Sequence, residues 1–285
     1  MVKRIPEPAR SVEVVHETEV LVVGSGPGGL AAALAAARAG ARTTLLERYG
    51  CFGGNITQVG VEGFAWYRHE RTVDCEGIGI ELEQRARAMG AATPEPQSLS
   101  HALDAEMFKY VADVLVKEAG VTPFLHRLCV APVLQGGSIR GVITESKSGR
   151  EAFLAQRVID ATGDADVAAR AGAPVHKAPR EQLMAASVMF SMTGVNKARF
   201  LEQVRADPQT YRDWAGNGEW NIETTGKEDD MFSPFLRKPF KKAVEEGVIP
   251  ASTARLKGLR RNGENMSSSL PVVSMFHSPL PAQSR

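Results

Sequence analysis

Residues 19–47 read EVLVVGSGPGGLAAALAAARAGARTTLLE. Residues 19–23 are a short apolar run, the form a buried parallel strand takes. The run stops at Gly24-Ser25-Gly26-Pro27-Gly28-Gly29. Residues 30–39 are then almost all alanine and leucine, strong helix material, with Gly40 behind them as a C-terminal stop. Residues 43–46 form a second strand, and Glu47 stands at its end. Strand, glycine turn, helix and strand follow one another within about thirty residues, which is a complete β-α-β unit.

The spacing Gly24-x-Gly26-x-x-Gly29 says little alone. The strand before it, the helix after it and the acid at the end of the next strand make it specific for a dinucleotide. Gly24 lets the strand turn sharply, Gly26 leaves room for a pyrophosphate against the backbone, and Gly29 lets the helix pack on the sheet. Ser25, Pro27 and Gly28 complete the turn. A helix start presents unpaired N–H groups and about half a positive charge to an anion. Hydrogen bonds to a charged group contribute about 1.5–3 kcal/mol each, so a few donors anchor the ligand. Glu47, about twenty residues past Gly24, is placed to accept from the adenosine ribose hydroxyls and to repel a 2′-phosphate. The plain alternative is a tight turn that holds no ligand.

Beyond this unit, residues 48–71 are glycine-rich and irregular. The pattern predicts helices over 78–89 and 104–119, with Met107, Phe108, Val111, Val114 and Leu115 on one side of the second. Residues 91–100, with Pro94 and Pro96, read as a loop. Three strands are expected at 124–133, 139–145 and 152–155, joined by hairpin turns at Gly136-Gly137 and Ser148-Gly149. A further buried strand at 158–161 runs into Thr162-Gly163-Asp164 and a short helix over 165–171. After Pro174 the pattern weakens to a strand at 186–192 and a helix at 239–246.

The glycine turn serves FAD and NAD alike, so the choice rests on the rest of the chain. Gly53-Gly54-Asn55 lies just past Glu47-Arg48, in a loop that would run back over a cofactor. The three-stranded insertion replaces the regular alternation of a nicotinamide dehydrogenase domain. The strand ending Ala161-Thr162-Gly163-Asp164 supplies a second close backbone approach. All three favour FAD. An NAD(P)-dependent reductase and a non-catalytic flavin-binding remnant stand as alternatives.

With GSGPGGLAAALAAARAG, LLERYGCFGGN and RVIDATGDADVAARAGAP on the page, the chain resembles the FAD-dependent oxidoreductases of the glutathione-reductase-like flavoproteins. It is most similar to a broad bacterial and archaeal branch of them, over about residues 18–175. The resemblance implies an α/β, Rossmann-like FAD/NAD(P)-binding domain with a three-stranded β insertion, followed by an incomplete α+β substrate region. It implies that Gly24, Gly26, Gly28 and Gly29 hold the pyrophosphate and Glu47 the ribose. Arg48, Gly53 and Gly54 would lie along the cofactor's middle and flavin portions, and Val130 would offer backbone atoms to adenine. Ala161, Thr162 and Gly163 would line the dinucleotide, while Asp164 would either meet the cofactor or cap the helix starting at Ala165. Some relatives are grouped with iron–sulfur enzymes, but Cys51, Cys75 and Cys129 are too widely spaced for a cluster held by this chain alone.

In a flavoenzyme the isoalloxazine ring carries the electrons, so a dedicated acid or base is optional. Cys51 precedes the Gly53-Gly54 loop and is a candidate redox thiol, although a small packed side chain is the plainer reading. Trp66, Tyr67, Arg68 and His69 follow, where His69 could shuttle a proton and Arg68 or Arg71 could hold a carboxylate. A solvated turn behind a packed Trp-Tyr pair is the plainer reading there too. Met184, Met189 and Met192 read as core packing.

The 285 residues carry a net charge of +1, which points to no nucleic-acid partner and to no membrane surface. The start of the chain has no apolar core like that of a signal peptide, and the cysteine pattern fits a reducing cytoplasm. The partners expected are a small-molecule substrate and either a second copy or an electron-transfer protein. The organisation expected is an FAD-binding domain over 1–174 with a helical and loop insertion at 61–103, then a partial cap at 175–250. Residues 251–285 form an irregular tail, rich in serine and proline, where Arg255, Lys257, Arg260, Arg261 and Arg285 face Glu264 alone. The resemblance fades near Pro250; a variant end, a truncation and a reading-frame change are all open for that tail.

Overall fold

The computed structural model describes residues 8–63, 76–94 and 101–179, with 5–6, 68–69, 72–73, 194, 196, 199, 202, 242–243 and 245–248 besides. The chain divides into two compact units. The first comprises Met1–Gly63, Cys75–Thr93 and Leu103–Val175; the second comprises Phe64–Asp74, Pro94–Ala102 and His176–Arg285.

The first unit opens with the expected β-α-β unit: β1 (Glu13–Val23), α1 (Pro27–Arg38) and β2 (Thr43–Leu46). Strand β1 is longer than the apolar run 19–23, because its exposed first half pairs with a partner that the run does not reveal. α2 (Asn55–Gln58) is a single turn within the glycine-rich stretch. α3 (Ile78–Ala88) and α4 (Ala105–Glu118) lie where the periodicity puts them. Asp104 caps α4 by accepting from Met107 N–H at 3.0 Å. The buried stripe of α4 is Ala105, Phe108, Val111, Ala112, Leu115 and Val116; Met107, expected on that side, is exposed one position off it.

The second unit contains the antiparallel pair β3 (Arg68–His69) and β4 (Thr72–Val73), with Arg68 opposite Val73. β5 (Ala92–Pro94) is a short strand within the stretch expected as a loop, and β6 (His101–Leu103) follows it. The strand expected at 186–192 and the tail 251–285 lie outside the described residues. Of the helix expected at 239–246, residues 242, 243, 245 and 246 are described; the first three are helical and 246 is in a turn.

β7 (Thr122–Phe124), β8 (Leu128–Gln135), β9 (Ser138–Ser146) and β10 (Gly149–Asp160) complete a six-stranded sheet of order β7-β2-β1-β10-β9-β8. β7, β2, β1 and β10 run parallel; β10, β9 and β8 form an antiparallel meander. Its first hairpin turns at Gly136-Gly137, both with positive φ, as a tight two-residue turn requires. α5 (Asp166–Arg170) follows β10.

Two sequence expectations change here. The run 124–133 is two strands, broken at His126, whose φ is +56°. Phe124 ends β7 beside Leu46, with Pro123 tolerated because β7 is an edge strand. The strands expected at 152–155 and 158–161 are one: β10 pairs with β1 along both halves and with β9 along its first. The expected three-stranded insertion is therefore a meander that grows out of the parallel sheet, with β10 belonging to both.

That connectivity forces the sheet to fold over. Residues 124 and 128 end β7 and begin β8, and four extended residues reach at most about 14 Å. Opposite edges of a flat six-stranded sheet lie about 24 Å apart. One cluster of the core lies where the folding encloses it: Leu21, Val23, Leu46, Cys129, Val142, Phe153, Ala155 and Val167, with Phe124 against Phe153 edge-to-face at 4.9 Å.

Candidate functional site

Register lines up the carboxyl ends of the parallel strands: Val23 lies beside Leu46 and Asp160, and Leu46 beside Phe124. A cavity of about 650 Å³ opens along this edge, within the first unit. Its volume is that of a small-molecule site, and its position is where open α/β sheets bind ligands, beyond the strand ends. Gly24 to Gly29, Glu47, Arg48, Gly54 and Ala161 to Gly163 line it.

The three motif glycines are bare for different reasons. A Cβ on Gly24, whose φ is +98°, would stand 2.4 Å from Ala161 O. A Cβ on Gly29 would stand 1.9 Å from Gly24 O, so the first turn of α1 presses on the β1–α1 link. A Cβ on Gly26 would meet nothing within 4 Å. Gly24 and Gly29 are demanded by packing; Gly26 faces open cavity. Gly26 is also the N-cap of α1 and offers no side chain, Pro27 brings no N–H, and the first turn holds no acid. The N–H groups of Gly28 and Gly29 thus border the cavity without a capping side chain.

The loop after β2 is tied to this turn. Gly53 N–H donates to Ser25 O at 2.9 Å, and a Cβ on Gly54 would reach Gly26 Cα at 2.6 Å. Glu47 is buried: its Oε2 accepts from Ser25 N–H at 2.9 Å and from Ser25 Oγ–H at 2.5 Å, and its Oε1 accepts from Tyr49 N–H at 2.9 Å. A carboxylate has about four acceptor positions, so three are occupied by its own chain. Arg48 lies over the Tyr49 ring, 4.8 Å from its centre.

On the other side of β1, Asp160 organises the β10–α5 turn. Its Oδ1 accepts from Thr162 Oγ–H at 2.7 Å and from Thr162 N–H at 3.2 Å; its Oδ2 accepts from Ala168 N–H at 2.9 Å and Val167 N–H at 3.0 Å. Burial raises the carboxyl's pKa, but the hydrogen bonds from the Thr162 side chain and from the Ala168, Thr162 and Val167 amides outweigh it. Asp160 is held below the ordinary carboxylate range. Capping of α5 therefore falls to Asp160 and not to Asp164, because Ala165 is the N-cap and makes no side-chain bond. Asp164 is exposed and, like Gly53 and Val130, is not among the cavity's lining residues.

The structure adds lining residues that the sequence reading missed, among them Tyr49, Asn55, Gln58, Arg127, Leu128, Cys129 and Asp160. Arg127 N–H donates to Glu47 O at 2.8 Å, while its guanidinium reaches Ser146 and Glu151 in the meander. Cys129 is the cysteine on the cavity wall; burial pushes its thiol up to about 11. Cys51 does not line the cavity, and its Sγ accepts from Gln58 Nε2–H at 2.6 Å. An acid closing a buried strand just before Thr-Gly was the available signal for Asp160. Arg127, Leu128 and Cys129 carry none, because they depend on where β8 begins. Arg68 and His69 form β3, and their side chains, with Trp66, Tyr67, Arg71, Cys75, Met184, Met189 and Met192, lie outside the described residues. Among the described residues no three His, Cys, Asp or Glu side chains are grouped to hold a metal ion.

A parallel sheet with a glycine turn, an uncapped helix mouth and a cavity at its carboxyl edge has the form of a Rossmann-type α/β protein. The chain belongs to the FAD dependent oxidoreductase family, whose model matches residues 19–265. It is 28% identical over 258 residues to thiamine thiazole synthase of Metallosphaera sedula, spanning 85% of this chain and 89% of that one. It is 27% identical over 182 residues to digeranylgeranylglycerophospholipid reductase of Methanoculleus marisnigri, spanning 61% and 46%. A solved geranylgeranyl bacteriochlorophyll reductase-like protein of Thermoplasma acidophilum superposes with a TM-score of 0.45 at 22% identity, covering 59% of this chain and 45% of that one. The matches thus span less than half the length of these two reductase-type relatives.

Proposed function

We propose that this chain binds FAD along the carboxyl edge of its sheet and uses it to oxidise or reduce a small organic molecule. The observation that carries the reading is Gly26, a bare Cα facing open cavity at a helix mouth with no cap and no acid. The family match supports FAD as the nucleotide. Bound there, the flavin would supply the electron-pair transfer.

The amides of Gly28 and Gly29, with the bare Gly26, would hold the diphosphate, and Gly24 with Ser25 and Pro27 would shape the turn. Glu47 would take one ribose hydroxyl on its remaining acceptor position. Arg48, Gly53 and Gly54 would follow the cofactor's middle, Val130 would offer backbone to adenine, and Ala161 to Asp164 would border the other half. Cys51, Arg68 and His69 stay the candidates for substrate chemistry. The cysteine pattern supports a cytoplasmic enzyme; among the described residues no helix is long and apolar enough to cross a membrane. At 28% identity the thiazole synthase likeness supports the shared nucleotide fold and does not carry a substrate over.

Absorbance of the purified chain tests the reading. A flavin spectrum of about one FAD per chain, bleached by a chemical reductant, is expected. A folded chain that takes up no added FAD overturns it, and uptake of NAD alone would favour the nicotinamide reductase.

A further inference from the structure

Ser25 and Tyr49 leave the Glu47 carboxylate about one acceptor position, so it meets a ribose hydroxyl only if its backbone stands in one place. The link between β7 and β8 fixes that backbone on both sides of the residue. Glu47 N–H donates to Phe124 O at 2.9 Å, and Glu47 O accepts from Arg127 N–H at 2.8 Å. The loop after Glu47 rests on the same link: His126 N–H donates to Tyr49 O at 3.1 Å, and a Cβ on Gly50 would stand 2.8 Å from the His126 ring.

The link itself belongs to neither strand, and it bends at His126, whose φ is +56°. Its anchor is the Arg127 side chain. The guanidinium donates to Ser146 Oγ and lies 3.2 Å from a Glu151 carboxylate oxygen, in a mostly buried ion pair. Ser146 ends β9 and Glu151 lies in β10, so the link is tied to the meander. A guanidinium is a rigid planar fork, which holds two partners in set directions. One residue thus holds the end of β2 by its amide and the meander by its side chain.

We propose that Arg127 is a positioning residue for Glu47: anchored to Ser146 and Glu151, it keeps the Glu47 carboxylate where an adenosine ribose hydroxyl reaches it. This rests on the nucleotide reading above. Its signature is a ratio of affinities, because ADP and 2′,3′-dideoxy-ADP differ only in the ribose hydroxyls that Glu47 would accept.

The cofactor-free chain is titrated calorimetrically with each nucleotide. Wild type should prefer ADP by about tenfold or more. Arg127→Met, which keeps the unbranched stem and removes the guanidinium, should cut that preference to about threefold or less, with dideoxy-ADP affinity within about threefold of wild type. In a Glu47→Ala background the same substitution should alter ADP affinity by less than about twofold. Equal weakening of both nucleotides overturns the role, and so does an undiminished effect without Glu47, which would mean that Arg127 touches the ligand itself. Should Arg127→Met fail to fold, Arg127→Met/Glu151→Gln leaves no buried charge unpaired and decides alone; if that chain does not fold either, the tether is a condition of folding and the positioning role is overturned. A wild type that binds neither nucleotide, or both alike, overturns this inference together with the reading beneath it. A wild type that prefers ADP, with Arg127 variants that keep the preference, sinks the positioning role only.

Discussion

Two helix mouths meet at the same cavity, and they are finished in opposite ways. α1 begins with a glycine N-cap, a proline and no acid; α5 begins with a left-handed alanine and carries Asp166 in its first turn. Asp160 reaches back from the strand to satisfy the α5 amides, whereas among the described residues no side chain caps α1. Orphan amides at a helix start need a partner from protein, water or ligand. One mouth is closed by the protein, and the other is left for the proposed diphosphate. The difference lies in where a carboxylate falls, not in helix content.

The sharpest way to break this comparison is to put a methyl group where the α1 turn has no room. Gly29→Ala sets a Cβ 1.9 Å from a backbone oxygen that cannot move aside. A loss of about 3 kcal/mol or more in unfolding free energy is expected, read by urea denaturation, and a wild-type midpoint would refute the packing. Gly26→Val makes the contrasting case. Its φ of −59° suits valine and its Cβ meets nothing, so denaturation should match wild type within about 1 kcal/mol while FAD uptake is lost. Normal flavin content in folded Gly26→Val protein would move the diphosphate elsewhere.

Glu47→Ala should act on both properties. It strips acceptors from the Ser25 and Tyr49 amides, which costs about 1–3 kcal/mol in the cofactor-free chain and weakens FAD further. Thermal melts with and without FAD separate the two effects; an unchanged cofactor-free melt would show the loops stand without Glu47.

The smallest effects lie on the closed side and appear against pH. Burial lifts Cys129 from 9.0 to about 11, so across that window the unfolded chain has lost a proton that the folded chain keeps. Stability should fall there as pH rises, by about 1–2 kcal/mol at most once solvent screening is allowed for. Cys129→Ala should flatten that slope. Asp160 has the opposite sign: its folded pKa is lowered, so its contribution is present above the ordinary carboxylate range and fades as pH falls through the folded value. Asp160→Asn should reduce the acid limb of the denaturation curve, and an unaltered limb would count against the hydrogen-bonded carboxylate.

The elements that a short window of sequence could reveal are those that form from neighbouring residues. The strand, glycine turn and helix over 19–39, the stripe of α4 and the Gly136-Gly137 turn all follow from periods of two or 3.6 and from backbone freedom at single positions. The errors share one cause. His126 looked like mid-strand because apolar residues stand on both sides of the His126-Arg127 pair, and residues 156–157 looked like a gap because they are polar. Whether a stretch is one strand or two depends on its partners, and β1 and β10 pair across more than a hundred residues of chain.

The chain's order of residues determined on its own the β-α-β unit, the bare Gly26 and the acid after β2, because each is set within a few tens of residues. Only the folded sheet decided that Cys129 and Arg127 would wall the cavity, that Glu47 would hold Ser25, and that Asp160 would close one helix mouth while another stayed open. Those outcomes need strand pairing and a sheet folded over on itself. Such contacts form between residues far apart in the chain, where no local pattern records them.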